Sequence, residues 1–355
     1  MDLDRILTRA ASGWTDGSGP QADIVVSTRV RLARNLASKP FPHRMDGSSL
    51  EHLLAEVETA VEHLNEREKW SPFQLLRLED MHDLDRRVLV EKHLVSLNLI
   101  AEPVGRAVVL RDDEMVSVMV NEEDHLRLQC LFPGLQLEEA WVAASGLDDC
   151  LEEQLGYAFS ESRGYLTCCP TNTGTGLRAS VMLHLPALIM AQGAGRVLSA
   201  INKLGLVVRG LYGEGTQAAG NLFQISNQVT LGHSEEDVIR NLHGIARQVV
   251  DQEARARRAL MKEAPLQLED RIGRAYGILS HARVLSGDEA LKLWSDVRLG
   301  VDLGLLTDMP RAALNELIVS SCPCFLQRQA GRELASAECD ALRAEIIRKT
   351  FTKNG

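Results

Sequence analysis

The apolar positions of this chain follow two different periods. In SSLEHLLAEVETAVEHLNEREK, residues Leu50, Leu53, Leu54, Val57, Val61 and Leu64 recur every three or four positions, which predicts an amphipathic helix. Ser48 and Glu51 supply a capping-box pattern at its start. LEEAWVAASGLDDCLEEQLG reads as a second helix ending near Gly156, and GLRASVMLHLPALIM as a third, starting just after a glycine turn. Other stretches read as strands. DIVVSTRVRLARN (23–35) begins as one and turns arginine-rich, while RAVVLR and MVSVMVN flank an Asp-Asp-Glu turn (112–114), which predicts a hairpin. LGLVVRGLYG and NLFQISNQVTLG read as two strands joined by the loop GEGTQAAG (213–220). The opening twenty residues read as a short helix followed by a flexible turn.

From Ser234 the pattern becomes almost wholly helical. Val238, Ile239, Leu242, Ile245 and Val249 form one stripe, and Pro265 marks the end of that helix. Further helices are signalled by caps at Ser286 (SGDE), at TDMP (307–310) and at Ser336 (SAEC). The expected fold is α+β, an antiparallel sheet flanked by helices and followed by an all-α C-terminal domain. The boundary is expected at 255–265, giving a catalytic unit over 1–258 and a helical unit over 259–355. That second unit would serve regulation, dimerisation or substrate docking. The chain shows no internal repeat or low-complexity tract.

Composition narrows the function more than the fold. With 355 residues, 25% charged and 45% hydrophobic, the chain has the balance of a soluble globular protein. A net charge of -10 argues against a general nucleic-acid binder but leaves room for a local basic pocket. Arginine accounts for 31 of the 39 basic residues, and its planar fork suits fixed contacts to phosphate or carboxylate. The seven cysteines follow no scaffold spacing and no apolar leader follows Met1, so reduced thiols and a cytoplasmic location are expected. Cys322 and Cys324 are too close for a usual zinc half-site and read as structural thiols. No apolar run approaches the ~20 residues that span a bilayer.

Three arginine clusters carry candidate chemistry. Arg29 and Arg31 lie two apart in STRVRLARN, so in a strand they share a face. Arg178 follows two glycines, at an expected helix start, and Arg209 ends a strand just before a glycine loop. Helix N-termini and arginine forks both suit phosphate oxygens. Taken singly, each arginine reads more readily as a surface charge or a structural ion pair. The chain has no GxxxxGK[ST] loop and no kinase-like glycine loop, so a polyphosphate here would be held mainly by arginines. NEEDHLR (121–127) places two adjacent carboxylates after a strand, fit for a general base or for waters around magnesium, or for nothing more than a solvated turn. Glu214 sits in a second, glycine-flanked loop beside Arg209. Cys169, before Pro170 and near Arg178, is a candidate thiolate, whereas Cys168 reads as core packing.

In order, STRVRLARN, EKHL, NEEDHLR, CPTNTGTGLRAS and RGLYGEG resemble the signature set of the phosphagen (guanidino) kinases over about residues 23–255. The wording VEKHLVSLNL and TNTGTGLRASVMLHLPAL is similar to the bacterial protein-arginine kinases of that superfamily. So is the layout, with only 26 residues before Ser27 and about a hundred helical ones after the catalytic part. The resemblance implies transfer of the γ-phosphoryl of MgATP to a guanidinium, with Mg2+ held mainly by ATP and water rather than by protein ligands. It implies that Ser27, Thr28, Arg29, Val30 and Arg31 line the phosphates, and that His93 and Arg127 lie against the nucleotide. The stretches Arg178, Ala179, Ser180, Val181, Met182 and Arg209, Gly210, Leu211, Tyr212, Gly213, Glu214 would join them. Glu123 would be the catalytic carboxylate, Glu214 its partner, and Cys169 the thiol beside the guanidinium.

One departure stands out. Bacterial protein-arginine kinases carry Arg-Asp-x-x-Arg-Ala, associated with sensing phosphoarginine, where this chain reads CDALRA. Cys339 replaces the first arginine, while Asp340, Arg343 and Ala344 remain as a degenerate version of the site. A thiol lacks a guanidinium's donors, so weak or absent stimulation by phosphoarginine is expected. The implied partners are arginine-bearing protein substrates such as a heat-shock repressor, a zinc-binding activator protein, the Clp unfoldase–protease and a second copy of the chain. Together they place the activity in stress response and protein quality control, with no direct nucleic-acid or membrane partner. Two other readings stay open at this level: a kinase of free arginine or another small guanidine, and a non-catalytic adaptor binding nucleotide or phosphoarginine.

Overall fold

The arginine-rich segment becomes the middle of a sheet. The structure is a computed structural model that describes residues 3–67, 70, 72–191, 194–203, 206–210 and 219–354. Its strands are β1 (Val25–Arg34), β2 (Phe73–Arg77), β3 (Ala107–Arg111), β4 (Val116–Val120), β5 (Leu126–Pro133), β6 (Phe159–Ser160), β7 (Gly164–Tyr165), β8 (Leu177–His184), β9 (Leu206–Gly210) and β10 (Leu222–Asn227). Eight of them form one sheet in the order β2-β3-β4-β5-β1-β8-β10-β9, with every neighbouring pair antiparallel. β6 and β7 make a separate small hairpin.

The helices are α1 (Leu3–Thr8), α2 (Gly47–Asn65), α3 (Asp83–Glu91), α4 (Leu97–Ala101), α5 (Leu137–Leu155), α6 (Pro186–Met190), α7 (Ala194–Lys203), α8 (Glu235–Glu263), α9 (Pro265–His281), α10 (Gly287–Asp302), α11 (Arg311–Ser320), α12 (Pro323–Ala330) and α13 (Ser336–Asn354). The period-2 pattern of β1 divides the molecule. Val30 and Leu32 lie beside Cys130 and Leu128 of β5 and Ala179 and Leu177 of β8, all fully buried against α2, α5 and α8. The opposite face carries Arg29 and Arg31. A second apolar cluster beyond it joins Trp14, Leu89 and Leu99 to Trp294, Leu317 and Phe325 of the C-terminal helices.

Two local expectations are corrected. Residues 177–184 form a strand rather than a helix, because Leu177, Ala179, Val181 and Leu183 alternate inward with Arg178, Ser180 and Met182 on the other face. Arg178 is therefore a mid-sheet residue and not a helix start; only Pro186–Met190 coils. The first long helix begins at Gly47, one residue before Ser48. Its cap is Asp46, whose Oδ1 accepts from Ser49 N at 2.8 Å, while Ser48 only hydrogen-bonds that carboxylate at 3.0 Å. The expected cap at Ser286 forms, accepting from Glu289 N, and Ser234 likewise caps α8, accepting from Asp237 N; the other two are corrected, since Ser336 is itself the first residue of α13 and α11 follows Pro310 with no side-chain cap.

The three residues opening EKHL bind different parts of the chain. Lys92 is buried, and its ammonium donates to the carbonyls of Ile6 at 2.7 Å and Arg9 at 2.9 Å and pairs with Glu114 at 2.6 Å. That ties down the N-terminal segment. Glu91 accepts from the backbone N–H groups of Cys324 (2.9 Å) and Phe325 (2.8 Å), holding the start of α12. His93 follows in the left-handed region at φ 60 and turns back toward the sheet.

Candidate active site

The sheet register assembles four arginines on one face. Arg31 stands opposite Arg178 of β8, Arg29 opposite Ser180, and Ala33 opposite Arg127 of β5. Ser27, paired with Met182, completes that row, and Arg29 Nη2 donates to Gln224 Oε1 of β10 at 2.9 Å. Burial, then Arg127 and Arg178, lowers Arg29 to about 10. Burial followed by Arg29, Arg127 and Arg178 lowers Arg31 well below its ordinary value, with Glu122 opposing. A guanidinium keeps its proton at neutral pH, so these shifts express burial first and the neighbouring positive charges second. Arg31 Nε is buried and has no hydrogen-bond partner among the described residues. An anion with several oxygens fits such a cluster, so the residues present suit a nucleotide triphosphate.

Beyond Arg127 lies the acidic turn, where neighbouring carboxylates have different environments. Glu122 is buried, accepts from Arg127 Nη1 at 3.0 and 2.8 Å, and takes a further hydrogen bond from Ser96 Oγ. Burial works to raise its carboxyl, but Arg127 and the donors hold it below its usual value. Glu123 is exposed, and burial of its inner atoms together with Asp124 and Glu122 raises it, against the pull of Arg127 and Arg178. Asp124 is buried and accepts from Asn35 Nδ2 at 2.6 Å and Cys168 N at 2.7 Å. It therefore pins the cysteine loop to the acidic turn. His125 locks the same corner: its Nδ1 accepts from Leu36 N at 3.0 Å and Nε2 lies 2.9 Å from Pro40 O. Burial lowers that imidazole to about 4, so it stays neutral near pH 7.

Cys169 is half-buried, with Sγ 3.0 Å from Thr171 Oγ1. Cys168 is a correction: it is half-buried rather than core, lies 3.7 Å from His43 Nδ1, and is pushed up to about 12 by burial and then Asp124. The glycine turn is needed for chain packing. Gly174 has φ 113, and a Cβ there would lie 2.2 Å from Thr230 O. His93 faces the same site. Burial, then Arg29, lowers it to about 4, its ring meets Trp14 edge-on at 5.6 Å, and its carbonyl accepts from Gln129 Nε2 at 2.8 Å.

Four expected nucleotide residues face away from this cluster. Thr28, Val30, Ala179 and Val181 are fully buried on the helix-packed side, so only their backbone borders the site. Arg209 and Gly210 pair with Gln224 and Phe223 in the β9–β10 ladder, so the register places Arg209 in the row of Gln224, Met182 and Ser27 on the arginine face. Leu211, Tyr212, Gly213 and Glu214 lie outside the described residues. Asp340 and Arg343 are brought together, Arg343 Nη1 donating to Asp340 Oδ1 at 2.5 Å. Arg343 also donates to the Ser321 and Leu285 carbonyls, while Cys339 and Ala344 are buried. Sequence reasoning offered Glu122 only as one of two adjacent carboxylates, without its pairing to Arg127, and missed Asp124, Asn35, Ser96 and Gln224. Of those missed, only Asp124 had a signal, its place in NEEDHLR.

Among the described residues no group of three or more His, Cys, Asp or Glu side chains is arranged to hold a metal, and no helix is long and apolar enough to cross a membrane.

The fold and this arginine-and-carboxylate site define a guanidino phosphotransferase. Residues 53–256 match the family described as ATP:guanido phosphotransferase, C-terminal catalytic domain. The fold is also that of a lombricine kinase crystal structure, with TM-score 0.60 and 24% identity over 70% of this chain and 69% of that one. A duplicated taurocyamine kinase from Schistosoma mansoni aligns at TM-score 0.59 and 26% identity, covering 77% of this chain and 40% of that one. Residues 265–355 match the Protein-arginine kinase McsB C-terminal domain. A protein-arginine kinase of Symbiobacterium thermophilum is 56% identical over 98% of this chain and 99% of its own length. Another, from Pelotomaculum thermopropionicum, is 52% identical over 99% of both. The chain belongs to the protein-arginine kinase family, and is a phosphotransferase that uses ATP with Mg2+.

Proposed function

We propose that this chain phosphorylates the guanidinium of arginine side chains in proteins, and that the direction of the arginine track orients the reaction. The observation that carries this is the order along β1. From the acidic turn with Glu123, the track runs past Arg127 and Arg178 to Arg31 and then Arg29. When bound, ATP with Mg2+ supplies the transferable γ-phosphoryl and spreads its charge over the phosphate oxygens. Arg29, Arg31, Arg127 and Arg178 hold those oxygens, and stabilise the charge that develops as the P–O bond to the leaving ADP breaks. Glu122 fixes Arg127 in place. Glu123 accepts the guanidinium proton as the N–P bond forms, and its raised basicity suits that task. Cys169 and Glu214 flank the incoming guanidinium and orient its fork. Ser27, Ser180, Met182, His93 and the 209–214 loop border the nucleotide.

The two-part organisation, catalytic over 1–258 and helical over 259–355, belongs to this reading, as do a cytoplasmic setting and assembly into a homodimer. We also infer that marked proteins, a heat-shock repressor among them, pass to the Clp unfoldase–protease, with a zinc-binding protein as activator. The decisive experiment incubates the protein with MgATP and either an arginine-bearing protein or free arginine. Acid-labile phosphate on protein arginine is expected, reduced at least about 100-fold in Glu123→Gln with folding unchanged. Phosphorylation of free arginine alone, or none of either acceptor, would overturn the proposal.

A further inference from the structure

Three large apolar side chains left in solvent belong to segments that bind the cysteine turn: Phe159 is 57% exposed, Val229 47% and Leu231 57%. Thr230, between the last two, donates from Oγ1 to the Thr171 carbonyl at 2.9 Å and the Thr173 carbonyl at 2.8 Å. Thr171 Oγ1 in turn lies 3.0 Å from Cys169 Sγ. Gly174 approaches the same loop so closely that a Cβ would lie 2.9 Å from Leu231 Cα. The turn also pairs with the β6–β7 hairpin, Tyr165 N donating to Gly174 O at 2.8 Å and Gly174 N to Tyr165 O at 3.3 Å. The Tyr165 ring meets Phe159 edge-on at 5.2 Å and rests on the Arg34 guanidinium at 3.5 Å. Each segment bound to the turn thus presents an apolar side chain to solvent.

The backbone beneath these side chains is fixed. The Thr230 carbonyl accepts from Thr175 N at 2.9 Å and the Val229 carbonyl from Asn227 Nδ2 at 3.2 Å. Next to Phe159, Ala158 N donates to the Asn35 carbonyl at 2.7 Å and Leu166 N to the Ala158 carbonyl at 2.9 Å. Covering apolar groups on a backbone already ordered costs little further entropy, so their burial favours a complex. Neither the turn at 170–173 nor the loop at 228–232 carries a charged side chain, so contact here is apolar. Asp124, next to Glu123, accepts from Cys168 N and keeps the acidic turn at this same end of the sheet. An arginine that reaches Cys169 from within a polypeptide brings its own backbone onto this surface, and each neighbouring residue extends the contact by ~3.3–3.6 Å. Three side chains are too few for a stable contact between two copies of the chain, which buries roughly 800 Å2 on each partner. They match instead the few residues on either side of one arginine.

We propose that Phe159, Val229 and Leu231 determine substrate choice by holding apolar side chains of the substrate polypeptide that lie close in sequence to the target arginine. This rests on the acceptor being a protein arginine beside Cys169, and the experiment separates the two. Initial rates with MgATP are measured on the full chain for two peptides of equal length and charge, each with one arginine. One carries leucine on both sides of the arginine, two positions away, and the other carries serine there. The enzymes are the wild type, Phe159→Ser and Leu231→Ser; both residues are exposed, so their substitution leaves the fold intact, as a melting curve checks. The wild type is expected to show kcat/KM about tenfold higher for the leucine peptide, through KM. Each variant loses several-fold on the leucine peptide, with kcat and the serine peptide unchanged. Equal wild-type rates on the two peptides, or undiminished use of the leucine peptide by both variants, overturn the inference and leave the protein-arginine reading standing. Equal loss on both peptides also overturns it, and if sedimentation then shows a dimer lost in the variants, the patch belongs to a second copy. If the wild type phosphorylates neither peptide, the protein-arginine reading fails and the inference with it.

Discussion

Two arginine clusters in this molecule resolve their charge in opposite ways. Around Asp302 of α10, Arg298 Nε and Arg311 Nε each approach to 2.9 Å and Arg257 Nη1 to 3.8 Å, and Arg257 also pairs with Glu253 at 2.9 Å. Arg298 Nη2 reaches the Ala22 carbonyl at 2.6 Å, so this cluster closes on protein acceptors and joins the C-terminal helices to the chain before β1. On the sheet face, Arg29, Arg31, Arg127 and Arg178 lie together; Glu122 pairs with Arg127, Arg29 donates to Gln224, and Arg31 Nε has no hydrogen-bond partner among the described residues. The first cluster is complete as folded. On the proposed reading, the phosphates of a bound nucleotide supply further negative charge to the second. Even within β1 the contrast holds: Arg34 is neutralised by Asp148 at 2.6 Å and stacks 3.5 Å from the Tyr165 ring centroid, while Arg31 keeps a bare Nε.

Substitution in each cluster sharpens the comparison. Arg31→Met removes one like charge from the sheet face, so thermal stability is expected to hold or rise. Phosphoryl transfer should fall by about 1,000-fold or more, the scale of one arginine acting on a transferring phosphoryl group. Paired melting curves and initial rates read both, and a large loss of stability would make the cluster structural. Asp302→Ala should do the reverse, leaving three guanidiniums around an empty position and destabilising the fold by ~3–5 kcal/mol, measurable by denaturant unfolding. A neutral result there would remove the distinction between the clusters. The smallest effect concerns pH. Glu123 must be deprotonated to accept a proton, and its carboxyl is raised by burial and by Asp124 and Glu122. The acid limb of kcat/KM is therefore expected above the ordinary carboxylate value of about 4.3, with up to a tenfold loss per unit below it. A limb at or below that value would show a different group in the role.

Much of this was legible beforehand. The i, i+2 spacing of Arg29 and Arg31 required a shared face once 25–34 became a strand, and the stripe on α8 required a packed helix. The strand at 177–184 was not, because Leu183, Leu185, Ala187 and Leu188 continue the apolar run into a true helix and blur the two periods. Nor was the difference between Glu122 and Glu123. Adjacent acids in a turn look alike until Ser96 and Arg127, from other strands and loops, reach one and not the other.

By itself, the sequence determined the residue types and their parity: arginines on one side of a strand, carboxylates at a turn, a thiol beside a glycine hinge and helices thereafter. These are local matters, decided by backbone period and side-chain chemistry. Tertiary structure alone decided which charges are paired, and that a helix about 260 residues downstream borders the same cavity as Arg29. Pairing and burial depend on contacts between distant segments, and no spacing along the chain encodes them.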